Sequence, residues 1–429
     1  MMSDREVYLV DGARTPFLKV RGKRGPFTPV DLAVQCGRPL LARQPFPASA
    51  IDMTILGCVN VIADEMNPAR VAALRLGMGE SMVAFTVQIN CGSGMQSIDT
   101  AFRTIREGSA EMILAGGTEA LSHAPLVMRD KTVDWLADMQ AASGPVETVQ
   151  SAVQLRPSHL KPIVGLERGL NDPITNMSMG QTAELLAHHF GITRKMADTY
   201  AVASHERLAK AQESGALKHE LVPAFDRDGT IYRSDDGLRP DSTVEHLAGL
   251  KPAFERPYGQ VTAGNASQVT DGASWCILAS SKAVKTHKLT PIARLVDSGW
   301  AALDPSVMGL GPVMSVTPLM QKHNLAVGDI DLWEINEAFA AQVLSCLATW
   351  RDQTFCRDVL GLEHSFGDIP HERLNVDGGA IALGHPVGTS GNRIVLHLGN
   401  AMKARGARRG VATECIGGGQ GGAMILESV

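Results

Sequence analysis

The most constraining feature of this chain is a pattern that occurs twice. Ile51-Asp52-Met53-Thr54-Ile55-Leu56-Gly57 resembles Ile330-Asp331-Leu332-Trp333-Glu334-Ile335-Asn336. Both read as a short strand, an acid followed by an apolar run. Each is followed by a Gly-rich turn that opens a helix: Cys91-Gly92-Ser93-Gly94 in the first half, Gly378-Gly379-Ala380 in the second. Each half then reaches a strand that ends in glycines, Ala115-Gly116-Gly117 and Cys415-Ile416-Gly417-Gly418-Gly419. Two explanations stand. The halves are duplicates that pack as a pseudo-dimer with a site at their seam, or the Ile-Asp strands are alike by chance.

Strand-like runs at Val7–Val10, Met53–Leu56, Phe85–Ile89, Met112–Ala115, Ile277–Ala279, Leu332–Ile335 and Met424–Leu426 alternate with helical patterns. The helical patterns fall at Thr100–Glu107, Ala183–Phe190, Lys195–Gln212 and Ile394–Ala404. That interleaving predicts an α/β fold. Residues 123–268 differ, being richer in Asp, Pro, Lys and Arg. There Val133, Leu136 and Met139, then Val146, Val149 and Val153, fall at helical spacing. They predict two amphipathic helices, either packed on the main body or offering a docking face to a partner or a membrane surface.

A chain of 429 residues can bury a large core without disulfides or structural metal. A formal charge of −5 argues against a protein built to neutralise nucleic-acid phosphates. The seven cysteines are an odd number and none sits at Cys-x-x-Cys spacing. They suggest free thiols in a reducing compartment, so a cytoplasmic location is expected. The first residues carry no pattern of a signal or transit peptide, and no apolar run reaches membrane-spanning length.

Four motifs carry chemistry. Cys91 follows a strand and precedes a helix, where free amides and the positive helix end favour a thiolate; a buried, inert thiol is the plain alternative. His385 lies in a loop with five glycines, Gly378, Gly379, Gly384, Gly388 and Gly391, which demand unusual backbone geometry. It could act as a base or simply hold its own loop. Cys415 offers a second thiol beside Gly417-Gly418-Gly419-Gln420-Gly421-Gly422. The glycines there do not mark a dinucleotide site, because the chain runs on into a strand and stops at Val429. Asn336 ends a strand, where its amide could hold a water or an oxyanion, or cap the next helix.

With these residues in view, the chain resembles the thiolase family over essentially its whole length. The likeness rests on Asp11-Gly12-Ala13-Arg14-Thr15-Pro16, Asn90-Cys91-Gly92-Ser93-Gly94, Gly116-Gly117-Thr118-Glu119, Met179-Gly180 and Gly264-Asn265-Ala266-Ser267. It also rests on Asn336-Glu337-Ala338-Phe339, Gly384-His385-Pro386 and Cys415-Ile416-Gly417. The resemblance implies two duplicated α/β halves in a five-layer α-β-α-β-α sandwich with an inserted loop domain. The implied division is 1–122 plus 269–290, a substrate- and CoA-binding loop domain at 123–268, and 291–429.

The resemblance also implies roles. Cys91 matches the acyl-accepting nucleophile, His385 its base, and Cys415 the acid/base at the acetyl α-carbon. Asn336, through a water, and His385 match one oxyanion hole; the amides of Cys91 and Gly417 match the other. Ser267 matches a pantetheine contact, and Met308 and Phe339 the acyl pocket. The implied reaction is thiolysis of 3-ketoacyl-CoA in fatty-acid β-oxidation, with coenzyme A as co-substrate and no bound cofactor or metal. The alternative is an acetoacetyl-CoA thiolase working in condensation. A homodimer or homotetramer is implied. Residues 123–253 and 351–373 look like the β-subunits of trifunctional fatty-acid-oxidation complexes, which implies association with a hydratase/dehydrogenase α-subunit. Asn336-Glu337 and Cys415-Ile416-Gly417 instead look like ordinary thiolases, and Ser178 stands where short-chain members usually carry His.

Overall fold

A computed structural model describes residues 5–429. Ten strands make one sheet: β1 (Val7–Arg14), β2 (Leu18–Lys19), β3 (Met53–Gly57), β4 (Val83–Val87), β5 (Met112–Ala120), β6 (Thr270–Ser280), β7 (Ala293–Ala302), β8 (Leu332–Ile335), β9 (Arg409–Ile416) and β10 (Gln420–Glu427). The principal helices are α1 (Pro29–Ala42), α2 (Pro68–Arg75), α3 (Ser93–Glu107), α4 (Asp130–Ala141) and α5 (Pro145–Ala152). They continue with α6 (Met179–His189), α7 (Arg194–Ser214), α8 (Gly311–Lys322), α9 (Ala340–Arg351) and α10 (Val387–Arg405).

The strand order is β8-β9-β10-β7-β1-β6-β5-β3-β4, with β2 paired to β6. From its outer edge inward, the first half runs β4-β3-β5-β6-β1 and the second runs β8-β9-β10-β7. In the second half a parallel bridge from Trp333 to Leu374 stands where β4 would be. The senses match too. β3 is parallel to β4 and β5, and β8 is parallel to β9; the remaining pairs in both halves are antiparallel. The halves join where β1 pairs antiparallel with β7, from Val7–Leu295 to Leu9–Ala293.

Finer details repeat as well. The Ile-Asp pair has a physical reason in both copies. Asp52 Oδ2 accepts the amides of Glu111 and Met112 at 2.7 and 2.9 Å, at the start of β5. Asp331 Oδ2 accepts those of Arg408 and Arg409 at 2.8 and 3.0 Å, at the start of β9. The ladder slips between Leu9 and Asp11 in β1, and between Leu295 and Asp297 in β7. Chance likeness of two short strands does not reproduce order, sense, slip and cap together. The duplication is real.

The layers follow from the apolar faces. Helix α3 buries Met95, Ile98, Ala101, Phe102 and Ile105, the spacing of one helical face. It packs on α10, and Ile394, Val395, Leu398 and Met402 of α10 share its core between the two half-sheets. Helices α1 and α2 cover the other face of the first half-sheet, while α8, with α9 against it, covers the second. The result is the five-layer arrangement. Large-to-small changes at the centre, such as Ile98→Ala, are of the kind that costs about 2–5 kcal/mol.

Some elements differ from the sequence reading. The strand placed at Phe85–Ile89 runs Val83–Val87, because Ile89 already belongs to the cysteine turn. Helices α4 and α5 fall where the apolar spacing placed them, and Trp135 Nε1 donates to the Ser151 carbonyl at 2.9 Å between them. Their apolar residues stay in the open: Val133 is 53% exposed, Val146 70%, Val149 62% and Val153 76%. Ser178 is the N-cap of α6 in a reciprocal capping box with Gln181, so here it holds a helix end.

Candidate active site

The cysteine turn is built by its neighbours. Asn90 takes a left-handed φ of 47°. Ser93 Oγ accepts the Ile89 amide at 2.9 Å and donates to the Asn90 carbonyl at 2.7 Å. Gly92 lies flat against Ile416, where a Cβ would come within 2.5 Å of Ile416 Cδ1. Asn90 Nδ2 donates to the Gly417 carbonyl at 2.8 Å, fastening the turn to the end of β9. Cys91 is thereby set just ahead of α3, and the amides of Gly417 and of Cys91 itself favour its thiolate.

Burial wins over those amides. It pushes the Cys91 thiol up to about 12, with Glu414 and Glu119 adding to the rise. Burial thus opposes the thiolate that the helix N-terminus favours. Cys415 sits near the end of β9 opposite Gly421, fully enclosed. Burial raises its pKa well above the ordinary thiol value, and Cys91 is the next cause. The two sulfurs are close enough for ionisation of one to oppose the other.

His385 stands in the loop between Leu383 and α10, its amide donating to the Gln268 carbonyl at 2.8 Å. Its Nδ1 is 2.6 Å from Ser390 Oγ. Its Nε2 is buried without a partner among the described residues. Burial, then Arg393, pulls its pKa down to about 4, so the ring is neutral. The loop is held from behind by Glu337, whose carboxylate accepts from Tyr200 (3.0 Å), Ser204 (2.7 Å), Asn375 (2.9 Å) and the Ile381 amide (3.2 Å). Asn336 follows β8, its amide bonded to the Thr413 carbonyl at 2.9 Å. Neither polar atom of its fully buried side chain has a partner among the described residues.

Three contacts close the seam between the halves. Gly94 of α3 meets the backbone of Gly388, Thr389 and Asn392 in α10. Gly117 of β5 meets Gly388 and Thr389, leaving no room for a side chain. Glu119 accepts the Gly388 amide at 2.9 Å from across the seam. Ser267 is tied to the Asn336-Glu337-Ala338-Phe339 segment through its amide, 2.9 Å from the Ala338 carbonyl. Met308 and Phe339 share one apolar cluster with Cys415, and Phe254 stands edge-on to Phe339 at 6.1 Å. Ser390, Arg393 and Glu414 had no role in the sequence reading. Each acts through a contact made only by the folded chain. No cluster of three or more His, Cys, Asp or Glu side chains is placed to hold a metal among the described residues.

A half-buried thiol with backbone amides beside it, a neutral imidazole with a free nitrogen, and an unpaired amide suit acyl transfer through cysteine. Comparison with known proteins gives that chemistry its family. The model for the N-terminal domain of thiolases matches residues 7–282, and that for the C-terminal domain matches residues 289–428. The chain belongs to the thiolase family and is an acyltransferase of that family.

Among its relatives is a beta-ketoadipyl-CoA thiolase of Escherichia coli, 39% identical over 99% of this chain and 100% of that protein. A 3-ketoacyl-CoA thiolase of Cronobacter sakazakii is also 39% identical, over 99% of this chain and 100% of that protein. A crystal structure of human mitochondrial 3-ketoacyl-CoA thiolase in complex with CoA superposes with a TM-score of 0.84 at 35% identity, covering 99% of this chain and 98% of that one.

Proposed function

We propose that the protein catalyses CoA-dependent cleavage of 3-ketoacyl-CoA to acetyl-CoA and a shortened acyl-CoA, in fatty-acid β-oxidation. The observation that carries this reading is the trio of unpaired buried polar atoms: Nε2 of His385 and both side-chain atoms of Asn336. Orphaned polar groups are costly unless something polar enters between them. His385 Nε2 takes the Cys91 proton as sulfur attacks the 3-keto carbon. The C2–C3 bond breaks, and its electrons form the acetyl-CoA enolate, which Cys415 protonates at carbon. His385 passes the proton it took from Cys91 to the Cys415 thiolate, and the neutral ring then takes the proton of the CoA thiol, which attacks the acyl-Cys91 thioester; the C–S bond to Cys91 breaks, acyl-CoA leaves, and the Cys91 thiolate recovers a proton from His385. The Cys91 and Gly417 amides serve one developing oxyanion; Asn336, through a water, and His385 serve the other. Ser267 contacts the pantetheine arm.

Cys415 shares its cluster with Met308, Phe339, Ala338 and Met179, all uncharged. That wall suits a neutral acyl chain better than one ending in carboxylate. The bulk of Met308 and Phe339 beside Cys415 also supports a second reading, an acetoacetyl-CoA thiolase working in condensation. Thiolysis rates for 3-ketoacyl-CoA of graded length, acetoacetyl-CoA and 3-oxoadipyl-CoA separate these substrates. Equal rates for wild type and Cys91→Ala would overturn the whole reading.

The division into 1–122 plus 269–290, 123–268 and 291–429 completes the proposal, with CoA entering beside the middle segment. We place the protein in the cytoplasm as a homodimer or homotetramer. Among the described residues strand β4 ends the sheet and pairs only with β3, which leaves one edge for a second copy. The open apolar residues of α4 and α5 support docking to a hydratase/dehydrogenase subunit. Association with lipid vesicles, but not with that subunit, would assign the face to a membrane instead.

A further inference from the structure

The duplication sets one acid apart. Asp52 clips the amides of Glu111 and Met112, and Asp331 clips those of Arg408 and Arg409. Counting on from these clips, Ala115 of β5 matches Ala412 of β9, and Gly117 matches Glu414. The ladders agree: Ile55 lies level with Ala115, and its copy Glu334 lies level with Ala412. The first half thus has Ile55 and Gly117 where the second has two glutamates. A Cβ on Gly117 would come within 2.2 Å of the Gly388 carbonyl oxygen, so that position admits no side chain. Glu414 instead sends a carboxyl between the opening turns of α3 and α10. A Cβ on Gly391 would lie 2.1 Å from its Oε1 and 2.6 Å from the Met95 amide nitrogen.

The elements packed around this carboxyl bring few charges. Arg393 of α10 donates through Nη1 to Glu334 Oε2 of β8 at 3.2 Å, and its Nε has no partner among the described residues. Ahead of α10 stands the neutral His385. Helix α3 brings Cys91 at its head and Asp99, already paired with Arg103 at 2.9 Å. Strand β5 brings Glu119, taken up by the Asn60 and Gly388 amides. Strand β10 sets Gly422 opposite Glu414, with Trp300 of β7 beyond it. Neither Gln420–Leu426 nor α8 before Lys322 holds an ionisable side chain. A buried carboxyl without a hydrogen bond keeps its proton. Once ionised, it would oppose a thiolate nearby. Burial raises both Cys91 and Cys415, and Glu414 adds to the rise at each. One guanidinium, already shared with Glu334, does not offset two negative charges.

We propose that Glu414 is a positioning residue of the acyl-transfer site: held neutral, it leaves the seam's negative charge to Cys91 and then Cys415, and its ionisation closes the site on the alkaline side. It moves no proton and acts only through the two thiols. This deepens the acyl-Cys91 reading of the same site and rests on it.

The test compares wild type with Glu414→Gln, which keeps the shape and cannot ionise. Of the seven cysteines, all among the described residues, Cys91 is half-buried and the other six are buried. Iodoacetamide, with Cys91→Ala as the blank, therefore reads the Cys91 thiolate. Alkylation and kcat/KM for thiolysis are measured from pH 6 to pH 9. The expected result is a ratio of variant to wild type that rises about tenfold over that range in both measurements. A ratio cancels His385 and Glu119, which both proteins keep, and packing damage scales every point alike. A flat ratio in either measurement would overturn the proposal. Glu414→Met is expected to repeat the rise; a rise with Gln alone would trace to the amide's bonds and overturn it too. If wild type alkylates at Cys91 but cleaves no 3-ketoacyl-CoA, the thiolysis reading fails, while the alkylation ratio still judges Glu414.

Discussion

The imidazole Nδ1 of His385 lies 2.6 Å from the hydroxyl of Ser390, one turn into α10. Ser390 Oγ also lies 3.3 Å from the Pro386 carbonyl, which can only accept. The hydroxyl therefore donates to Pro386 and accepts from Nδ1–H. That fixes the proton on Nδ1 and leaves Nε2 bare, the state a general base requires. Removing the hydroxyl frees both tautomer and ring orientation. Ser390→Ala is expected to lower kcat about tenfold to a hundredfold with little change in KM. Steady-state thiolysis checks this; a loss confined to KM would remove Ser390 from the positioning of His385.

The pH profile follows from the same ring. His385 must be neutral to accept a proton, and burial has pulled its pKa down to about 4. It stays competent well below the ordinary histidine value. The acid limb of kcat/KM is expected near pH 4, with a plateau above it through pH 6. A limb centred near 6.5 would show an imidazole still bathed in water.

Stability at alkaline pH is set elsewhere, by His397 of α10. This ring is buried among Glu220 (2.9 Å), Asp377 (3.4 Å) and Glu334 (3.8 Å). Burial alone would lower its pKa, but the carboxylates raise it to about 10. A raised folded-state pKa gives stability that is complete below about 6.5 and lost as pH climbs through about 10. Melting temperature is expected to fall over that window. His397→Gln strands the carboxylates, costs about 3–5 kcal/mol at pH 6, and removes this part of the slope. Calorimetry of both proteins from pH 6 to 10 checks it.

Glu414 runs the other way. Its carboxyl is fully buried, and neither oxygen has a partner among the described residues. Burial holds its pKa well above the usual carboxylate range. An acid with a raised folded-state pKa costs stability as pH rises above its unfolded value near 4.5. Glu414→Met is expected to raise stability by about 1–3 kcal/mol, more at pH 8 than at pH 5. Chemical denaturation at both values tests this; an unchanged or lowered midpoint would mean the carboxyl is satisfied.

What was legible in the sequence was local. The β3 and β8 copies showed because an acid and a short apolar run sit together. Cys91, His385 and Cys415 showed because each lies beside glycines, and Asn336 because it ends a strand. Strand β7 went unmarked and only the glycine-marked end of β9 showed, since Arg294, Asp297, Arg409 and Glu414 interrupt their apolar pattern; those charges find partners or burial only in the folded chain. Helix α10 was read only from Ile394. Its first turns hold Gly388 and Gly391, poor helix formers, needed because α3, β5 and Glu414 press against that stretch. The His397 cluster had no signal at all, as Glu220 lies 177 residues from His397.

The two like halves also part company at one place. Asn90 and Asn375 take nearly the same left-handed φ, 47° and 46°, at matching turns. After Asn90 the chain passes one thiol and enters α3 almost at once. After Asn375 it wanders through Gly378–Pro386 before α10 begins, and that detour carries His385. A symmetric pair would hold two identical half-sites, each lacking what the other lacks. Unequal spacing in one copy instead gives a single pocket with one donor and one acceptor of the proton. Cut between β6 and β7, the chain would yield a fragment with a nucleophile and a fragment with its base, active only when mixed.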